Sequence, residues 1–214
     1  GESLLKGNAE LIRQFHKMAR AKNPDFALGG EGPLDFLYGL YSYTYVRTWN
    51  AKYEPALAYT SPEVKIATCI NGFNDRNMIN QCLMYRFVIN FEPYNFKGRL
   101  CDFPLTLEYG KKAIALRKYL ADYIWDGIFL HTLKAKVLRE DGSIHHPYSV
   151  FENKKNHKLA IVISNYGDNE ITVSVRTDSG CTKFKLYSVE NQKPVSCGSK
   201  ISIKPRSLIV AVEQ

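Results

Sequence analysis

The chain has 214 residues, 45% of them hydrophobic, and a formal net charge of +8. That apolar fraction supports a sizeable core and argues against a disordered chain. The basic excess divides as +3 over residues 1–126 and +5 over residues 127–214, with no run of Lys or Arg longer than two; a nucleic-acid reader concentrates such charge on one face or arm, so nucleic acid is not the expected partner.

No apolar stretch approaches the ~20 residues that span a bilayer, so no membrane partner is expected either. The five cysteines fall at 69, 82, 101, 181 and 197, an odd number without C-x-x-C spacing. His145 and His146 are adjacent, and neighbours rarely converge on one ion, so the sequence predicts no metal site and no cofactor. It leaves open whether Cys181 and Cys197 are bridged; free, partly buried thiols are the expectation.

In chain order, the first element is an amphipathic helix. Leu11, Phe15 and Met18 recur at helical spacing, with Ile12 and Ala19 widening the stripe. Asn23-Pro24 ends it, because proline restricts its predecessor and donates no backbone hydrogen bond. A short apolar strand follows, Phe26-Ala27-Leu28, and then the loop Gly29-Gly30-Glu31-Gly32-Pro33. Helix, turn, buried strand and glycine-rich loop make an α/β unit. An aromatic-rich stretch comes next, in which 42–48 reads as a strand with Tyr43, Tyr45 and Arg47 on one face. A third short strand spans 65–70 and runs into Asn71-Gly72. Asp75 or Asn74 caps a helix over about 75–90. Residues 92–102 read as loop, and Pro104 opens a last helix lined by Leu105, Tyr109, Ala113, Leu116 and Leu120.

Beyond residue 127 the helical period disappears. Strands are expected at 128–138, 147–152, 158–164, 170–176, 182–187, 199–203 and 207–212, separated by turn signals such as Asp141-Gly142 and Ser179-Gly180. Alternation is strong in Leu159/Ile161/Ile163 and Ile171/Val173/Val175. About seven short strands at this spacing predict an antiparallel sandwich. The front half holds three strands, too few for a closed parallel barrel of eight strands and roughly 250 residues. The expected division is residues 1–126, the distal and incomplete part of a (β/α)8 barrel, and residues 127–214, a C-terminal β-sandwich.

Three phrases carry a resemblance: Gly29-Gly30-Glu31-Gly32 after a short strand, the polar strand end Asn71-Gly72-Phe73-Asn74-Asp75-Arg76, and the closing hairpin Ile201-Ser202-Ile203-Lys204-Pro205-Arg206-Ser207-Leu208-Ile209-Val210. With this order of parts, the chain resembles the C-terminal half of barrel glycoside hydrolases of the α-amylase and α-galactosidase-like groups. The resemblance covers nearly the whole chain in architecture and is a fold-level analogy. It implies a glycoside-hydrolase fragment acting on oligo- or polysaccharide, inactive alone.

Such enzymes flank the scissile bond with two carboxyl groups, placed in barrels on the loops that follow the strands. Glu31 occupies that kind of position and is the candidate catalytic acid; a loop glutamate facing solvent is the plainer alternative. Tyr43, Tyr45, Arg47 and Trp49 are candidate sugar contacts, since aromatic faces stack on sugar rings and Arg binds hydroxyls; ordinary barrel packing explains strand aromatics equally well. Asn71, Asp75 and Arg76 are further substrate-binding candidates, although a helix cap accounts for Asp75. No second carboxylate stands out. Trp125 is expected to anchor the two halves to each other. The loop at Gly29 lacks the Lys-Ser/Thr ending of a phosphate loop.

Two other readings compete. A non-catalytic carbohydrate-binding module needs an aromatic platform on the sandwich, where few aromatics are available, among them Tyr148, Phe151, Tyr166, Phe184 and Tyr187. A structural or interaction protein covers its open sheet edge with a second copy, and a homodimer through the exposed barrel edge is an expected partner arrangement under any reading.

Overall fold

The computed structural model describes residues 2–31, 40–46, 56–70, 72, 74–92 and 98–214. The chain opens with α1 (Glu2–Lys22), then β1 (Gly29–Glu31), β2 (Tyr43–Tyr45), α2 (Ala56–Thr60), β3 (Ile66–Ile70), α3 (Arg76–Met84) and β4 (Val88–Phe91). These four strands form one sheet in the order β1-β2-β3-β4, every neighbouring pair parallel. Strands neighbouring in sequence and parallel in space, with α2 and α3 as crossovers, repeat the α/β unit read from the first turn.

The fourth strand was not expected, because the helix pattern was carried through residue 90. The helix stops at Met84, where the Tyr85 N–H returns to the Gln81 carbonyl at 3.0 Å and Arg86 turns left-handed, φ 61°. The Arg86 guanidinium holds that turn, donating to the carbonyls of Trp125 (3.4 Å), Gly127 (3.3 Å) and Pro62. Phe87 is then fully buried and the β-branched Val88 and Ile89 extend. The first strand also lies a little later than expected, on Gly29–Glu31 rather than 26–28.

After α4 (Pro104–Tyr119) and the single turn α5 (Ala121–Ile124), nine strands follow: β5 (Ile128–Phe129), β6 (Ala135–Arg139), β7 (Tyr148–Glu152), β8 (Leu159–Asn165), β9 (Ile171–Thr177), β10 (Phe184–Ser188), β11 (Val195–Cys197), β12 (Lys200–Ile203) and β13 (Ser207–Glu213). They make a six-stranded antiparallel sheet, β11-β10-β13-β8-β7-β5, and a three-stranded one, β12-β9-β6. The single strand expected over 128–138 is two strands in different sheets. Between them, His131 (φ 60°) and Lys134 (φ 66°) turn the chain across. The short edge strand β11 was also missed. All five cysteines are free thiols, Cys69 and Cys82 buried, so Cys181 and Cys197 are not bridged.

The two sheets of the sandwich share an apolar core of Val137, Val173, Val175, Ile201 and Ile203 against Val150, Ile161, Ile163, Phe184 and Ala211. The opposite face of the six-stranded sheet is equally apolar. Phe151, Ala160, Val162, Leu208, Val210 and Val212 pack into a second core with Ile79, Leu83, Tyr109, Ala113 and Leu116 of α3 and α4. Every residue of β8 is therefore buried. Cross-strand pairs such as Val162 with Val210 and Ile161 with Ala211 face opposite cores by pleat alternation alone.

Front and back halves thus share one core. Polar ties reinforce it: Ser149 Oγ donates to the Met84 carbonyl at 2.6 Å, and Asn77 Nδ2 donates to the Tyr166 carbonyl at 3.0 Å. Trp125 is half-buried at this seam, its ring beneath Lys65 Nζ (4.7 Å) and the Arg117 guanidinium (5.0 Å). The stripe of α1 is exposed instead: Leu11 is 66%, Phe15 53% and Met18 69% accessible.

Candidate functional site

The parallel sheet has two unlike faces. Ile66, Ile70, Ile89 and Phe91 point at α3 and α4, which approach so closely that a Cβ on Gly110 would lie 2.6 Å from the Phe91 ring. The other face carries Gly29 and Glu31 of β1, Tyr43 and Tyr45 of β2, Ala67 and Cys69 of β3, and Val88 and Asn90 of β4. Register aligns Glu31 with Tyr45, Tyr45 with Ala67, Ala67 with Val88 and Cys69 with Asn90. This face lines an open cleft of about 470 Å³ that also reaches Glu92, just past the end of β4.

Backbone shape here is set by the tyrosines. A Cβ on Gly29 would lie 2.3 Å from the Tyr43 ring, and one on Gly30 2.3 Å from the Tyr41 ring. The paired glycines let two aromatic rings lie against the strand; they do not leave its backbone bare for a ligand. Tyr43 is 40% exposed over Gly29 and forms an accessible aromatic surface in the cleft.

The cleft's polar centre is Glu92, only 3% exposed. Its Oε1 accepts hydrogen bonds from the Tyr45 hydroxyl and from Asn90 Nδ2 at 2.7 Å. Its Oε2 is buried with no hydrogen-bond partner among the described residues. Burial, then the adjoining Glu92 carboxylate, holds the Tyr45 phenol well above its ordinary pKa, so Tyr45 stays a donor across the working pH range.

The structure brings three candidates from the sequence into this cleft: Glu31, Tyr43 and Tyr45. It places two elsewhere. Asp75 precedes α3 and accepts the Gly72 N–H at 3.0 Å, while its own N–H donates to Thr106 Oγ1 at 2.9 Å. Arg76 turns to the back half, with its guanidinium 3.7 Å from Glu190 and stacked 5.0 Å over the Tyr109 ring. Arg47, Trp49 and Asn71 lie outside the described residues.

Glu92 and Asn90 were missed, because the helix was carried through about residue 90 and residues 92–102 were read as loop. The signal was present: in Phe87-Val88-Ile89-Asn90-Phe91-Glu92 two β-branched residues lead to a carboxylate at a strand's C-terminal end.

A larger depression, about 900 Å³, opens at the sandwich edge beside Arg139, Asp141, His145 and Glu170. Asp141 is engaged locally by Ser143, through its N–H at 2.9 Å and its hydroxyl at 2.6 Å. The sandwich aromatics offer no platform: Phe151 and Phe184 are fully buried, Tyr148 is 4% and Tyr187 8% exposed, and the Tyr166 hydroxyl is buried. Among the described residues no group of three His, Cys, Asp or Glu side chains could hold a metal ion, and no helix is long and apolar enough to cross a membrane.

No family model matches the sequence. No curated protein matches it either. Solved structures do match in fold. The α-amylase of Geobacillus thermoleovorans in complex with acarbose is 12% identical with a TM-score of 0.57, over 96% of this chain and 57% of that one. An Anoxybacillus α-amylase is 11% identical with a TM-score of 0.59, over 96% and 56%. The debranching enzyme of Nostoc punctiforme, soaked with acarbose, is 10% identical with a TM-score of 0.54, over 94% and 53%. The fold is therefore glycoside-hydrolase-like, and this chain spans little more than half the length of the enzymes it matches.

Proposed function

We propose that this chain is the distal part of a barrel glycoside hydrolase with its C-terminal β-sandwich, acting on an oligo- or polysaccharide. The observation that supports this most is one cleft on one face of a parallel sheet. There Glu31, at the C-terminal end of β1, lies with the accessible ring of Tyr43 and the polar group Tyr45, Asn90 and Glu92. Sugar-cleaving barrels use this combination: carboxyl groups at strand ends, an aromatic surface for the ring and fixed polar groups for hydroxyls.

In this reading the four strands are an arc of the cylinder and the cleft is its interior, open because the remaining strand–helix units lie outside this chain. The exposed stripe of α1 is where the preceding unit packs. Glu31 serves as general acid, giving its proton to the leaving glycosidic oxygen. Tyr43 stacks on a sugar ring, and Arg47 and Trp49, which follow β2 in sequence, remain proposed sugar contacts. The domain boundary falls at residues 126–127. Among the described residues β1 and β4 have no partner strand on their outer sides, so the isolated chain is expected to self-associate through these edges, which sedimentation can test.

Two measurements test the reading. The 214-residue chain alone is expected to turn over no aryl glycoside, since half an acid–nucleophile arrangement loses nearly all rate enhancement; robust turnover rejects the incomplete-barrel part. In a polypeptide carrying the remaining units, Glu31→Gln is expected to lower kcat by about 10²–10⁴-fold. Unchanged kcat removes Glu31 from catalysis.

A further inference from the structure

Among the described residues of this cleft, Glu92 is the carboxylate that is both buried and held by two donors. It is 3% exposed, and its Oε1 takes two donors, Tyr45 Oη–H and Asn90 Nδ2. Those donors hold the carboxyl plane, since each supplies a hydrogen to the same oxygen. Oε2 then stands buried beside the cleft, a strong acceptor with no protein donor among the described residues. A buried carboxyl oxygen left without a donor costs the folded protein energy. Such a cost at a site of function is offset when a ligand supplies the missing donor.

Resting on the reading above, we infer that Glu92 is a substrate-positioning residue whose Oε2 accepts a hydrogen bond from a hydroxyl of a neutral saccharide bound in the cleft with Glu31. The ligand class follows from the surroundings. The site needs a donor, and Tyr43 presents an aromatic face for an uncharged ring. The same cleft carries a second carboxylate, Glu31, so an anionic ligand would meet two negative groups. Asn90 and Tyr45 do not need the ligand, because each already has Glu92 as partner. Their role is to hold Oε1, so that Oε2 alone is offered to the sugar. Glu92 takes no proton from the reacting bond in this assignment; its contribution is ring placement relative to Glu31.

The test uses the 214-residue chain and its variants Glu92→Gln and Glu92→Asp, with thermal melting and ligand-observed NMR against maltotriose, xylotriose and melibiose. Glu92→Gln keeps an acceptor for Tyr45 and Asn90 and removes the unpaired buried acceptor. It is expected to melt no lower than the parent chain while binding the preferred saccharide about tenfold more weakly. Glu92→Asp keeps the charge but withdraws it by one methylene, and is expected to bind weakly as well. Parent-like affinity in either variant overturns the role of Glu92 and leaves the glycoside-hydrolase reading standing. Loss of several degrees in the melting of Glu92→Gln, with Glu92→Asp binding as the parent does, shows a structural carboxylate and also overturns it. Absence of binding by the parent chain to all three saccharides overturns this inference, while the glycoside-hydrolase reading is decided separately by Glu31→Gln in a polypeptide carrying the remaining units.

Discussion

The four-stranded parallel sheet and the six-stranded antiparallel sheet are both covered on one face by α3 and α4, yet their other faces are opposites. In the six-stranded sheet the second face carries Val150, Ile161, Ile163 and Ala211 and is sealed by the three-stranded sheet. In the parallel sheet the second face carries Tyr43, Tyr45, Asn90 and Glu31 and is open. Pleat alternation is the same in both, so the difference lies in what each row of side chains can tolerate. A row of branched aliphatic residues is stable only when covered. A row of tyrosines, an amide and carboxylates can face solvent or a polar ligand at little cost, and this is the row that a binding cleft requires.

The sharpest way to break this comparison is at the layer both sheets share. Phe151 is fully buried where the six-stranded sheet meets α3 and α4. Phe151→Ala is expected to cost about 3–5 kcal/mol and to lower the denaturation midpoint of both halves together, read by urea titration with circular dichroism. Separate transitions, with only the sandwich destabilised, would show that the halves fold independently. A smaller effect is expected at Ser149, whose hydroxyl bonds the Met84 carbonyl at 2.6 Å across the same seam. Ser149→Ala leaves that carbonyl buried and unsatisfied, for about 1–3 kcal/mol in the same titration.

The smallest effect is a pH slope confined to the sandwich. His145 is 3% exposed, with Nε2–H donating to the Ser164 carbonyl at 2.9 Å and Nδ1 buried without a partner among the described residues. Desolvation lowers its pKa from the ordinary 6.5; the Ser164 bond opposes this, and the charges of Arg139 and His146 add to it. The unfolded chain therefore binds this proton more readily than the folded one. Stability from neutral His145 is present above pH 6.5 and is lost as pH falls through the lowered folded value. Melting temperature is expected to decline from pH 7.5 to pH 5.5, and His145→Gln to flatten that part of the slope.

Much of this was legible in the residues. The alternation of Leu159, Ile161 and Ile163 marked a strand, and Asn23-Pro24 marked the end of α1, because local sterics and pleat geometry act on neighbours in sequence. Glu31 was singled out by its place after a short strand, and the structure places it in a cleft with Tyr43 and Tyr45. Other features depended on distant partners. The helix pattern of residues 75–90 concealed β4, since only Arg86, anchored to carbonyls of Pro62, Trp125 and Gly127, fixes where the helix stops. Glu92 was hidden with it. The rings of Tyr41 and Tyr43 lie against Gly30 and Gly29, a contact no local rule announces.

The sequence by itself determined the two-part order, a parallel α/β front and an antiparallel back, because periodicity and turn residues act over a few positions. It also set the chemistry available: carboxylates and tyrosines at strand ends, and no metal-ligand spacing. Tertiary structure alone decided that β8 is buried on both faces, that Arg76 reaches Glu190 rather than the cleft, and that Glu92 is desolvated against Tyr45 and Asn90. Each of these depends on which distant segment arrives to cover a face, and burial is a property of the covering partner as much as of the residue covered.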